Sequence, residues 1–394
     1  MSNTSSRPKK LSYAIITLLL VIIAGVSGYF AGLASTPGEQ TTVTATVTTT
    51  VTGGVGATTG EVIKWRATTW SVPGDPYFKV IQRFAEWVKI LSGGRMIIEV
   101  YAADELFPVI ETLDAVAKGT VELAEVFQPY WGSQDPMFAV LGLALPGPLK
   151  SGPELWYLNE KTLDLAEKAF EKWGVKLVSV FNMELYEPIM CREPISSLDD
   201  LKGKIIRAGG FSGIFYEKLG AKTMFLSGGE IYEALKLGTI DCAEWSDFYS
   251  NHQMRFYEVA KYALEPAPDG TLHVQTHIVY LVANPKAWQE LPDDLKNVVK
   301  AAAELAFQWG TFYMDVMNRR GKALWIREGG EVVTQSPEDV KKARQIALEI
   351  YVDLAKHGGD VLEYIKRVIE VWRDLGYTDW ANDLEQALKS EGLI

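Results

Sequence analysis

Apolar and polar positions along this chain switch repeatedly between the strand period of two and the helix period of 3.6. Lys64 to Trp70 is a short β-type run. The Pro73-Gly74-Asp75-Pro76 turn after it opens a helix with Tyr77, Val80, Ile81, Phe84, Val88 and Leu91 on one face. Ser92-Gly93-Gly94 stops that helix, and Met96 to Tyr101, rich in β-branched and aromatic side chains, predicts the next strand. Glu111 to Lys118 repeats the helical pattern, Gly119 closes it, and Val121 to Phe127 supplies a third strand. A parallel sheet covered by helices is therefore expected as the first domain.

A second set follows. Trp156 to Trp173 reads as helix and Lys176 to Phe181 as strand. Leu198-Asp199-Asp200-Leu201-Lys202-Gly203 is a turn leading into a strand over Lys204 to Arg207. Helices are expected from about Gly213 and over Gly229 to Leu237, with a strand near Thr239 to Trp245. His273 to Val282 alternates in strand fashion. Asp293 to Glu328 is helical with few breaks, on the order of 50 Å at 1.5 Å per residue, enough to span two domains. Ser336 to His357 and Val361 to Leu375 are amphipathic helices suited to bracing the domains or to a dimer surface. Two α/β sets in one chain imply a cleft between them.

The first sixty residues follow neither period. Arg7, Lys9 and Lys10 precede an uncharged stretch from Leu11 to Ala34, long enough to cross a bilayer core as a helix or to act as a secretory signal. Residues 35–60 are almost wholly Thr, Val, Gly and Ala, which cannot bury enough apolar surface to offset ordering entropy. The expected organisation is a basic N-terminus (1–10), a signal or transmembrane anchor (11–34) and a disordered Thr-rich stalk (35–60). The functional part then runs from about Glu61 to Ile394 on the extracytoplasmic side, anchored by the helix or released after signal cleavage.

Composition narrows the functions available. With 39 Lys and Arg against 50 Asp and Glu in 394 residues, the net charge of −11 excludes a nucleic-acid-coating protein, which needs clustered cations. Cys191 and Cys242, the only cysteines, lack the CxxC spacing of a zinc or redox site and are either free or paired.

The best local constellation is Ile205-Ile206-Arg207-Ala208-Gly209-Gly210-Phe211-Ser212-Gly213, a strand ending in arginine with a glycine-rich turn into a helix. Backbone N–H groups at a helix start favour an anion, and a guanidinium grips a carboxylate through two parallel hydrogen bonds. Glu244 and Trp245 end another strand, at the carboxyl side where open α/β sheets bind ligands. Trp70, Tyr130 and Trp131 also follow predicted strands and offer flat walls for a small organic solute. No GxSxG, P-loop, HExxH or strand-linked GxGxxG motif occurs. His273 and His277, four apart on a strand, lie about 13 Å apart, too far to share one metal.

Jointly, these residues resemble the solute-binding subunits of TRAP transporters, the DctP-like family, and within it the 2-oxoacid-binding group. The resemblance runs from Lys64 to about Tyr377. It rests on Ser92-Gly93-Gly94-Arg95, Thr112-Leu113-Asp114-Ala115-Val116 with Lys118-Gly119, the segment from Leu198 to Arg207, Gly229-Glu230-Ile231-Tyr232-Glu233-Ala234-Leu235, and Gly238 to Trp245. It implies an α/β, two-domain clamshell of the periplasmic-binding-protein type with a long helix across both lobes. Lobe I would comprise 61–184 plus 273–312, lobe II 185–272 plus 313–335, and the C-terminal helices 336–394. It implies that Arg207 binds the solute carboxylate and that a Na⁺ or Ca²⁺ ion bridges to the substrate; Trp70, Tyr130, Trp131 and Trp245 are the further expected solute-binding residues.

The metal ligands implied are Glu244 and the Trp245 carbonyl, with Asp269 or Glu265 as a further acid. Relatives carry a glutamine about twenty residues before the arginine. Here Met183-Glu184-Leu185-Tyr186-Glu187 stands instead, so Glu184 or Glu187 adds a carboxylate, or the ligand set has changed. An added carboxylate favours Ca²⁺ over Na⁺. No organic cofactor is implied. The expected partners are a small carboxylate and the membrane subunits of the transporter, with the C-terminal helices resembling those through which 2-oxoacid relatives form homodimers. The rival class is a surface-anchored metal-dependent enzyme acting on carboxylic acids.

Overall fold

The computed structural model describes residues 61–141, 147–184, 187–208, 212–267 and 277–394. The expected anchor and Thr-rich stalk lie outside the described residues. Among the described residues, no helix is long and apolar enough to cross a membrane.

The chain opens with β1 (Ile63–Thr68), α1 (Phe78–Leu91) and β2 (Met96–Tyr101), a β-α-β unit whose strands run parallel. The apolar stripe of α1 is buried at Val80, Ile81, Phe84 and Val88, as its period requires. Next come α2 (Thr112–Lys118), closed by Gly119 in the left-handed conformation (φ 75°), and β3 (Leu123–Val126). Then follow α3 (Pro136–Val140), α4 (Gly152–Lys172), whose start carries a Ser151–Glu154 capping box, and β4 (Lys176–Glu184).

From β5 (Ile189–Cys191) the chain builds a second sheet, with β6 (Ile205–Arg207), α5 (Gly213–Lys218), β7 (Lys222–Met224), α6 (Gly228–Leu237), β8 (Cys242–Glu244), α7 (Phe248–Gln253) and β9 (Tyr262–Glu265). β10 (His277–Ala283) and α8 (Pro285–Glu290) return to the first lobe. After α9 (Asp293–Arg327) come β11 (Glu331–Thr334), α10 (Pro337–Ala355), α11 (Gly359–Asp374) and α12 (Thr378–Ser390).

The strand order is β2-β1-β3-β10-β4 in the first sheet and β11-β9-β5-β8-β6-β7 in the second. The wholly parallel first sheet expected from sequence is corrected: β10 runs antiparallel to both β3 and β4. β10 arrives from the second lobe, so no right-handed crossover within the first sheet dictates its direction. The chain crosses between the sheets after β4, after β9 and along α9, and the two lobes form one compact unit.

α9 packs on α1 and β4 in the first lobe and on α7 and β11 in the second. Glycines set both approaches. A Cβ at Gly310 would lie 3.1 Å from Asn182 Oδ1 and 3.3 Å from Val80, and one at Gly321 would lie 2.3 Å from the backbone nitrogen of Tyr249. Asn318 Oδ1 also accepts from the Phe248 backbone N–H at 3.0 Å, tying the start of α7 to the helix. The C-terminal helices brace both lobes: α10 packs on α5, and α11 on α3 and α4. Cys191 and Cys242 sit opposite one another on β5 and β8 and form a disulfide.

Candidate functional site

Arg207 ends β6 and is only 1% exposed. Its guanidinium is held by backbone oxygens: Nε donates to Leu226 O at 3.0 Å and Nη1 to Glu244 O at 2.7 Å. Nη2 is buried and has no hydrogen-bond partner among the described residues. The group also stacks over the Trp245 ring at 4.8 Å and lies 5.9 Å from that of Phe225. Neutral carbonyls fix its direction without cancelling its charge, so the free fork edge is a preformed donor for an anion.

Aromatic rings enclose that donor. The Trp70 and Trp245 ring centroids are 5.7 Å apart, and Trp70 also meets Tyr77 at 5.6 Å and Phe127 at 5.9 Å. Trp70 Nε1 is a second buried donor without a partner among the described residues. Tyr130 packs edge-on against Phe127 at 5.0 Å and, across the cleft, against Phe225 at 5.1 Å. Trp131 stands behind: its Nε1 donates to Ile110 O at 3.0 Å, and its ring touches Tyr130 at 6.3 Å. Phe225, on the connection between β7 and α6, was not singled out from sequence, because only its meeting with Tyr130 gives it a role.

The acids divide into two groups. Glu244, at the end of β8, is 4% exposed and accepts from Ser212 Oγ at 2.9 Å. Glu187, 1% exposed, precedes β5, whose Ile189 pairs with Glu244. Burial pushes the Tyr216 hydroxyl well above its ordinary value, and the charges of Glu244 and Glu187 push it further. Buried carboxylates such as these are hard oxygen donors of the kind that Na⁺ and Ca²⁺ take.

Glu265 is not brought to this group. Its carboxylate accepts from Lys322 of α9 and from Thr334 Oγ1 on β11. Among the described residues, no cluster of three or more His, Cys, Asp or Glu side chains could hold a metal by itself. The expected positions Asp269, Gly209, Gly210 and His273, and the Glu184 side chain, lie outside the described residues. His277 opens β10.

Residues 67–357 match the family of bacterial extracellular solute-binding proteins, family 7, also called DctP. The chain belongs to that family. It is 27% identical over 315 residues to the monocarboxylate 2-oxoacid-binding periplasmic protein of Nostoc sp. strain PCC 7120, covering 79% of this chain and 83% of that one. Two solved TRAP solute-binding proteins share the fold. That of Bordetella bronchiseptica RB50, described as a mixed-occupancy dimer with calcium and picolinate in its active site, has a TM-score of 0.74 at 23% identity, covering 84% of this chain and 98% of its own. That of Pseudoalteromonas atlantica T6c, with bound sodium and pyruvate, has a TM-score of 0.72 at 22% identity, covering 84% and 99%.

In this family-7 receptor the lobes also meet through a polar contact beneath the aromatic rings. Asp75 of the first lobe accepts from Trp245 Nε1 at 3.0 Å and Ser250 Oγ at 2.7 Å, both of the second, and from the Tyr77 N–H at 2.9 Å. Asp247 of the second lobe accepts from Tyr77 Oη of the first at 3.0 Å, and from the N–H groups of Tyr249 and Ser250 at 2.7 and 3.1 Å. Burial raises the Asp75 carboxyl to about 6, against the downward pull of its three donors. Burial likewise raises Asp247 to about 7, with the neighbouring Asp75 charge adding to the rise. Sequence patterning had presented Asp75 only as part of a Pro-Gly-Asp-Pro turn.

Proposed function

We propose that this receptor captures a small monocarboxylate of the 2-oxoacid or hydroxyacid class and delivers it to the membrane subunits of an ion-driven TRAP transporter. The observation that carries the reading is Arg207 Nη2: a permanently charged, fully buried donor edge, stacked on Trp245 and lacking a partner among the described residues. Burying such an edge is costly unless an acceptor meets it, and a carboxylate supplies that acceptor in the right plane. The enclosing rings of Trp70, Tyr130, Phe225 and Trp245 favour a short, flat solute.

Glu244, Glu187 and the Trp245 carbonyl would hold the cation, whose chemistry when bound is to bridge the solute's second oxygen. The two buried carboxylates favour Ca²⁺, since added negative oxygen donors suit a divalent hard ion. Residues 11–34 would tether the receptor to the outer face of the membrane, with 35–60 as the stalk. The solute selects the state in which the lobes are together, because Tyr130 of one lobe and Arg207 of the other reach it at once only there.

A thermal-shift screen against pyruvate, longer 2-oxoacids, lactate, dicarboxylates and amino acids, with and without chelator, tests the reading. A solute at 100 times its dissociation constant should stabilise the protein by about 2.7 kcal/mol. The expected result is a shift with a monocarboxylate that disappears with chelator. No shift with any carboxylate, from protein first unfolded and refolded to strip bound solute, would sink the proposal.

A further inference from the structure

Four residues from the two lobes close a hydrogen-bonded ring: Asp75, Tyr77, Asp247 and Ser250. Around it, the Tyr77 N–H donates to Asp75, the Tyr77 hydroxyl to Asp247, the Ser250 N–H to Asp247 and the Ser250 hydroxyl to Asp75. Two of the four bonds cross between lobes, and a third crossing bond, from Trp245 Nε1 to Asp75, branches off toward the solute cleft. Every contact is a donor meeting a carboxylate oxygen, and both acids are at most 3% exposed. Trp245 is the ring beneath Arg207, and its other side is fixed by Gly228, where a Cβ would lie 2.4 Å from the indole.

We infer that Asp75 is a positioning residue for the solute site: it holds the Trp245 indole from the opposite lobe, so that the face under Arg207 is completed only when the lobes are together. Asp75 acts on the solute site through Trp245, whose indole N–H it accepts from the opposite lobe. A buried hydrogen bond to a charged group, once broken, leaves its partner desolvated, so losing this link penalises the joined state alone. Separated lobes expose both Asp75 and the indole N–H to water and lose little.

This inference rests on the solute-binding reading for one of its two arms only. The full chain in detergent micelles is titrated with pyruvate in the presence of Ca²⁺, with association and dissociation rates measured separately. Asp75→Asn puts an amide N–H₂ against donors, and Trp245→Phe removes the indole N–H together with the five-membered ring, so the coupling between the two changes, not the single loss, isolates the link. Each should raise Kd by roughly 10- to 100-fold, mainly through faster dissociation, and the double variant should be no worse than the weaker-binding single. In the second arm, hydrogen exchange is followed in the free protein. Asp75→Asn and Ser250→Ala should each speed exchange in residues 246–254 of the opposite lobe while leaving the strands of the first sheet protected.

Kd values within twofold of the parent for both single variants, or additive losses in the double, overturn the inference. So does unchanged protection of 246–254 in both exchange variants, which holds even where the parent itself ignores pyruvate. In that last case the solute class fails while the exchange arm still decides the role of Asp75. Ser250→Ala and Trp245→Phe leave both carboxylates in place, so the inference stays testable where Asp75→Asn does not fold.

Discussion

Replacing Arg207 with lysine keeps the charge and removes the fork. In the structure three edges of the guanidinium point three ways, to Leu226 O, to Glu244 O and, through Nη2, into the ring-lined space. A lysine has one nitrogen and cannot hold two separate carbonyls while reaching a solute. The two carbonyls are shed first or the solute is. A single lost hydrogen bond to a charged group is worth about 1.5–3 kcal/mol, a rise in Kd of roughly 10- to 150-fold. Alanine is the less informative change, since it also removes both bonds to the Leu226 and Glu244 carbonyls and the ring contact with Trp245, so a loss of affinity could not be assigned to the solute-facing edge. Titration calorimetry with the monocarboxylate found by screening measures the affinity, and a melting curve of the same sample reports the fold. Arg207→Lys binding within threefold of the parent, with an unchanged melt, would mean that the guanidinium edge does not meet the solute.

Three other changes follow from close contacts. Gly228→Ala places a methyl against Trp245 and should lower solute affinity about tenfold by tilting the indole off Arg207, with overpacking costing about 1–3 kcal/mol of stability; unchanged affinity in calorimetry would show that the indole yields freely. Gly321→Ala drives a Cβ into the backbone at Phe248 and Tyr249 and should destabilise by more than about 3 kcal/mol, read as a lowered denaturation midpoint. Replacing both Cys191 and Cys242 by serine releases a link across 51 residues of sequence, which chain entropy values at about 4 kcal/mol. A drop of less than about 1 kcal/mol in urea unfolding would show that strand pairing alone holds β5 to β8.

Long periodic segments were legible in the sequence. The stripe Tyr77, Val80, Ile81, Phe84, Val88 on α1, and the unbroken run of α9, are helices within a residue or two of their expected bounds. The short strands β5, β7, β9 and β11, of three or four residues, are too brief to show a period, and they form four of the six strands of the second sheet, both outer edges included. Arg207 and Glu244 stood out as candidates because each ends a strand, Arg207 just before Gly209 and Gly210 and Glu244 just before Trp245. Glu265 was read as a candidate ligand by its distance along the chain, whereas Lys322 on α9 occupies its carboxylate. Phe225, Ser250 and Asp247 carried no signal, because their partners Tyr130, Asp75 and Tyr77 lie 95, 175 and 170 positions away.

Trp245 touches Arg207, Trp70, Asp75 and Gly228 at once, which has a consequence for how this lineage can change its diet. Any substitution there disturbs four neighbours together, so descendants drifting toward a bulkier or longer acid will rarely survive a change at that position. Phe225 sits on a connection outside the strands, is 41% exposed, and meets the opposite lobe through Tyr130. Trimming it enlarges the space beside Arg207 while leaving the core intact. Divergence in solute preference should therefore accumulate at Phe225 and Tyr130, and a library varied at those two positions is the shortest route to a receptor for a new acid.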